Sequence, residues 1–212
     1  MGLIAKDTGG GGDFGILDAG THLAVCTQVI DLGTTLKQFA GYEPKKLHEV
    51  IVTWETPEER IDIPDADGKT ESKPRWISKT YTLSLFKKSN LCIDLTNWRG
   101  RQFTEKERDG FDVKNILGKS CMISVSHKTS GEKTYANVTG VAGLMKGLNP
   151  VEPEGNVNYF SIEEGGPIPE HLPDWMKERI MESDEWKARD VGVHPTDKDD
   201  YIADEDDDSP PF

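Results

Sequence analysis

Residues 75–100 read Arg75-Trp-Ile-Ser-Lys-Thr-Tyr-Thr-Leu-Ser-Leu-Phe86 and, two lysines later, Ser89-Asn-Leu-Cys-Ile-Asp-Leu-Thr-Asn-Trp-Arg-Gly100. The apolar period changes between the two halves. In the first, Tyr81, Leu83 and Leu85 fall on one side and Trp76, Ser78, Thr80 and Thr82 on the other, the alternation of a half-buried strand. In the second, Leu91, Leu95 and Trp98 recur at i, i+4 and i+7, with Ser89 able to cap a helix and Gly100 to end it. A strand running into a helix near the middle of the chain constrains the fold strongly, because what flanks the pair decides the class.

Working outward, strands flank it on both sides. Leu23, Val25 and Val29 alternate with Ala24, Cys26 and Gln28 in a first strand of about ten residues. A polar loop over 33–46 leads to a second strand over 47–55, with Val50, Val52 and Trp54 on one face. Residues 56–74, with two prolines before an Asp-Ala-Asp-Gly turn, read as a long excursion before the third strand. After the helix, Thr104-x-x-Glu107 is a capping box, and its short helix is expected to continue through Phe111 and Ile116 to Gly118. Cys121, Ile123 and Val125 mark a fourth strand and Ala136, Val138 and Gly140 a fifth, with a turn over 129–132. Strand–strand–strand–helix–strand–strand is the element order of an OB-fold, a five-stranded barrel with the helix between strands three and four.

The expected organisation is a flexible Gly-rich arm over 1–18, an OB-fold domain over 19–147, a Pro-rich linker with a short amphipathic helix over 148–190, and a disordered acidic tail over 191–212. Gly10-x-Gly12-x-x-Gly15 matches a dinucleotide fingerprint in form only, since no strand precedes it and no helix follows. The net charge of −13 is unevenly spread. Residues 1–150 carry 20 Lys/Arg and 19 Asp/Glu, whereas residues 151–212 carry 5 and 19. A near-neutral body with an acidic C-terminal third is therefore the better description.

Three widely spaced cysteines without a Cys-x-x-Cys pair argue against a disulfide framework or a zinc site and suit a reducing compartment. Neither a signal peptide nor a run of roughly 18 apolar residues is present, so no membrane association is expected. The five histidines form no His-x-x-x-His pair, and no Gly-x-Ser-x-Gly or complete phosphate-binding loop occurs. The sequence is accordingly read as a non-enzyme without cofactor or metal. The last residues, Asp204-Glu-Asp-Asp-Asp-Ser-Pro-Pro-Phe212, suit an extended docking peptide better than any folded element.

The chain resembles phage-encoded single-stranded-DNA-binding proteins with an OB-fold and an acidic C-terminal tip. The most similar stretch runs from Ser89-Asn-Leu91 through Trp98-Arg99-Gly100-Arg101-x-Phe103-Thr104 to Gly118-Lys-x-Cys121, and the tip adds to it. One departure is Ser209-Pro210, where an apolar residue usually precedes the final Pro-Phe. The resemblance implies non-sequence-specific binding of single strands in DNA replication or recombination, in the cytoplasm of an infected bacterial host. It also implies recruitment of a polymerase, helicase/primase or recombinase through Asp206, Asp207, Asp208, Pro210, Pro211 and Phe212, and it admits a homo-oligomer. Rival readings are an acidic DNA-mimic or inhibitor, or a replication-associated enzyme on a β-barrel.

A single-strand groove needs cations tracking phosphates and exposed rings for bases. Trp76, on the polar side of its strand beside Lys73, Arg75 and Lys79, is the leading stacking candidate. Tyr135, with Lys133 and Lys128, occupies the loop between strands four and five. Phe39 and Tyr42, with Lys37, Lys45 and Lys46, occupy the loop between strands one and two. OB-folds commonly use both loops to hold nucleic acid. Trp54 joins the candidate set, although its face with Val50 and Val52 points to the core or the barrel rim. Trp98 is expected in the core.

Overall fold

The structure, a computed structural model, describes residues 16–39, 41–64 and 69–192, with side chains to residue 189. The first strand, β1 (Gly20–Lys37), organises the sheet. Its beginning pairs with β4 (Ser120–Ser130) and its remainder with β2 (Lys45–Pro64), both antiparallel. β2 continues into β3 (Thr70–Thr82) and β4 into β5 (Lys133–Ala142), giving the order β3-β2-β1-β4-β5. β3 and β5 approach each other, which nearly closes a five-stranded antiparallel barrel of OB type.

The barrel interior is filled by inward residues of every strand. β1 supplies Ala24, Cys26 and Val29, β2 supplies Val50, Val52 and Trp54, and β3 supplies Ile77 and Tyr81. The helix α1 (Asn90–Arg99) adds Leu91, Cys92 and Leu95. It begins and ends where the sequence places its caps. The Ser89 hydroxyl accepts the Cys92 N–H, and Gly100 takes a left-handed conformation at φ 66°. The Thr104–Glu107 capping box also forms, opening α2 (Glu105–Asp109). The helix does not continue to Gly118, however. Gly110 is extended, and a separate 3-10 turn over Val113–Ile116 starts where the Asp112 carboxylate accepts the Lys114 N–H.

Two stretches expected to be irregular are strand. In the excursion over 56–74, the described residues extend the β2–β3 pairing, from Arg60 opposite Pro74 to Pro64 opposite Thr70. Pro57 lies inside the register shift between Thr56 and Arg60, and Pro74 borders it; a bulge is the one place in a ladder where missing N–H groups do little harm. Likewise β1 runs through Gly33, leaving only residues 38–44 between β1 and β2, so Lys37, Lys45 and Lys46 lie on strands. Gly33 sits at a bulge with φ 69°, and a Cβ there would come within 2.4 Å of the Ser183 side chain. Only glycine meets both conditions.

Residues 148–172, expected as a linker, pack against the barrel instead. β6 (Asn158–Phe160) adds in parallel to β1, and two helices follow, α3 (Asp174–Met181) and α4 (Asp184–Gly192). Phe160, Ile162, Leu172, Met176 and Ile180 build a second core on the outer faces of β1 and β2, over Ile30, Leu32 and Ile51. Prolines made the first part of this segment look like a spacer, and its buried side chains there, Phe160, Ile162 and Leu172, are too few to set a long apolar period.

A polar hub fixes this C-terminal lobe. The Asp31 carboxylate takes hydrogen bonds from the Gly33 and Ile162 N–H groups and lies 2.7 Å from His48 Nε2. The Glu185 carboxylate accepts the Thr34 N–H at 2.7 Å and lies 3.5 Å from His48 Nδ1. Burial would raise the Asp31 carboxyl, but these hydrogen bonds hold it below its usual range. The hydrogen bond to Asp31 conversely lifts His48 above its ordinary value, against the effect of burial.

Candidate nucleic-acid interface

The alternation of β3 that buries Ile77 and Tyr81 turns Trp76, Ser78, Thr80 and Thr82 outward. The row spans about 20 Å at roughly 3.3 Å per residue. Its β2 neighbours in register are Glu55, Thr53, Ile51 and Glu49, and Thr53 and Ser78 share a hydroxyl hydrogen bond of 2.8 Å. The C-terminal lobe covers Ile51 and the β1 residues beyond it but leaves the β3 row open. Trp76 is 61% exposed, which matches its sequence assignment.

The β1–β2 loop meets one end of this face, and the β4–β5 hairpin carries a patch of its own. At the β1–β2 end, Phe39 is 50% and Tyr42 71% exposed. Their turn is closed by the Tyr42 N–H donating to the Phe39 carbonyl and by Gln38 Nε2 donating to the Tyr42 carbonyl. Phe39 shares a shallow groove with Thr80, Thr82 and Lys88, so it borders the β3 row. In the β4–β5 hairpin, Tyr135 stands opposite Lys128 and Lys133 opposite Ser130. Directly opposed residues and those two apart share a face, so Lys128, Lys133 and Tyr135 form one patch, with Tyr135 49% exposed.

Trp54 does not belong to the interface. It is 1% exposed, and its ring meets Tyr81 edge-on at 6.5 Å and Trp98 at 6.4 Å inside the barrel. Its β2 face was legible from Val50 and Val52. Lys79 must also be reassigned: it lies on the Ile77–Tyr81 side, 2.7 Å from Asp94 and over the Tyr81 ring. The Tyr81 hydroxyl donates to the same carboxylate at 2.8 Å; burial, then the Asp94 charge, push its ionisation upward.

Other candidate cations are already engaged. Lys37 pairs with Glu49, which also receives Arg179, and Lys46 pairs with Asp184 of the C-terminal lobe at 2.7 Å. Lys73 pairs with Glu71 on its own strand. Arg75 is half-buried, and its carbonyl accepts the Thr56 hydroxyl. Lys45, Lys128 and Lys133 make no ion pair among the described residues. Pairs as exposed as Lys46–Asp184 and Lys73–Glu71 are screened by solvent, contribute little and exchange readily for a phosphate. The partly buried Lys37 and Lys79 do not. Sequence reading missed Lys88, beside Phe39, and its neighbours Lys87 and Phe86, all exposed at the end of the row. The signal was present in Phe86-Lys87-Lys88, an aromatic followed by two cations just beyond a strand.

Thus Trp76, Phe39 and Tyr42 flank one open polar row, with Tyr135 on the neighbouring hairpin, and lysines accompany each loop. The tip residues Asp206, Asp207, Asp208, Pro210, Pro211 and Phe212, like the arm over 1–15, lie outside the described residues. Among the described residues no helix is long and apolar enough to cross a membrane. The sequence matches no protein-family model and no curated protein.

Proposed function

We propose that the chain binds single-stranded DNA without sequence preference, in replication or recombination of a phage genome, along the outer row of β3. The observation carrying this reading is the exposure of aromatic rings on the strand face and on both loops of an OB-type barrel. Isolated exposed rings are ordinary, but rings at both ends of one hydroxyl-lined row are what a stacking platform requires. Ser78, Thr80 and Thr82 offer hydroxyls without base identity, and Lys45, Lys88, Lys128 and Lys133 supply phosphate partners. The acidic tip would then be the peptide that recruits replication enzymes, set free from the lysines of the DNA-binding face when phosphates take its place.

The test is a titration with labelled oligo-dT and with a blunt duplex of equal length, across salt concentrations. Binding should favour the single strand and weaken with salt at a slope of about −0.7 per phosphate contact. Absence of oligo-dT binding at low salt refutes the reading and favours an acidic inhibitor or mimic. Cleavage of the oligonucleotide with added Mg²⁺ would instead favour an enzyme.

A further inference from the structure

The extension of β2 and β3 beyond the barrel has a consequence at Trp76. Ile61 and Ile63, opposite Lys73 and Glu71 in register, are both half-buried. Across from them runs the segment 154–158 of the C-terminal lobe. Between the two lies a groove of about 770 Å³ with Trp76 in its lining, within the range of small-molecule sites. Resting on the single-strand reading above, we propose that this groove is a slot for one unstacked nucleobase, seated on Trp76 with its sugar and phosphate outside.

Three features support it. The walls are fixed before any ligand arrives. Fully buried Glu55 accepts the Glu154 N–H at 2.7 Å and the Gly155 N–H at 3.3 Å, and Arg60 of the extended hairpin pairs with Glu154 across the groove. Preorganised walls lose little entropy on binding. Second, residue 155 has no side chain: a Cβ there would lie 3.5 Å from both Trp76 Cζ2 and Glu55 Oε2, so a long side chain would take up space in the groove beside the indole. Third, the chemistry is sorted. The indole and the isoleucines suit a base face, while Asn158 and His171 offer hydrogen-bonding groups that can meet any base edge. Lys73 and Arg60 are paired with Glu71 and Glu154, so these walls present no net positive charge to hold a phosphate, which leaves the base as the better fit for the groove.

The test uses the full chain and the oligonucleotide dT12 at low salt, with Kd from the anisotropy of a labelled strand and stacking from tryptophan fluorescence. Gly155→Leu should raise Kd roughly tenfold or more and reduce the quenching on binding, with an unchanged thermal transition. Ile63→Asp, on the exposed hairpin, should do the same by placing a charge in the slot, and it keeps the test decisive should the leucine variant fold poorly. Wild-type affinity and quenching in both variants would overturn the slot while leaving single-strand binding intact. Failure of the wild-type chain to bind dT12 would overturn the function reading itself.

Discussion

Trp54 and Trp76 occupy neighbouring strands one register step apart, with Trp54 opposite Ile77 and Glu55 opposite Trp76, yet their exposures are 1% and 61%. The side-chain period of two sends one ring into the barrel and the other out. The outer face is itself divided. Over β1 and β2 it is roofed by the C-terminal lobe on Ile30, Leu32 and Ile51, whereas along β3 Ser78 and Thr80 are exposed and the lobe reaches only the Trp76 end. An exposed polar strand row beside a covered apolar one shows that the lobe leaves a single-row track rather than a broad sheet face. The lobe, residues 151–192, also carries 11 Asp/Glu against 4 Lys/Arg, an acidic composition beside a barrel of near-neutral charge.

The largest effect should come from the inner face. Trp54→Ala should destabilise the chain by about 3–5 kcal/mol, read as a lowered midpoint in urea, because the cavity would open between Tyr81 and Trp98. A loss below about 1 kcal/mol would break the contrast between the two rings. Ile180→Ala, in the lobe core, should lose about 2–5 kcal/mol. If the lobe were a loosely attached linker, the main transition would not move. Trp76→Ala should weaken oligo-dT binding by about 1–3 kcal/mol with little change in melting temperature. Unfolding of that variant would show that the outer ring is structural after all.

The smallest effect sharpens the roofed half. His48 is held above its ordinary value near 6.5 by its hydrogen bond to Asp31, with the charges of Asp31 and Glu185 adding to it. A raised folded value means that this contribution is complete below about 6.5 and disappears as pH rises through the raised value. Asp31 behaves oppositely: its contribution is present above 3.8 and is lost in acid, as pH falls through its lowered value. Thermal stability should therefore decline modestly from pH 6 to pH 8.5, and His48→Gln should remove that step. An unchanged slope in the variant would assign the pH dependence elsewhere.

Much of the barrel was legible because its signals are local. The Ser89 and Gly100 caps, the capping box at Thr104, and the inward sets Val50–Val52–Trp54 and Cys121–Ile123–Val125 each repeat over a few residues. Trp76, Tyr135, Phe39 and Tyr42 were legible for the same reason, as apolar rings out of phase with a buried face or inside a polar loop. Pro57, Pro74 and Gly33 misled because proline and glycine punctuate loops far more often than they occupy bulges. Apart from Lys73, whose partner Glu71 is near in sequence, the pairing of the candidate lysines was not legible, since Glu49, Asp184 and Asp94 lie far along the chain from Lys37, Lys46 and Lys79.

By itself the sequence determined the element order, the barrel interior, the helix ends and the separation of a neutral body from an acidic C-terminal third. Each follows from short-range periodicity, capping chemistry or composition. Only the tertiary structure decided that the C-terminal segment is a second core, that Lys79 turns to Asp94 and Lys46 to Asp184, and that Trp76 sits in a groove against Gly155. Those outcomes join residues far apart in sequence, as Thr34 joins Glu185 across 151 positions. A contact of that kind is selected by the packing of whole elements, and no local pattern encodes it.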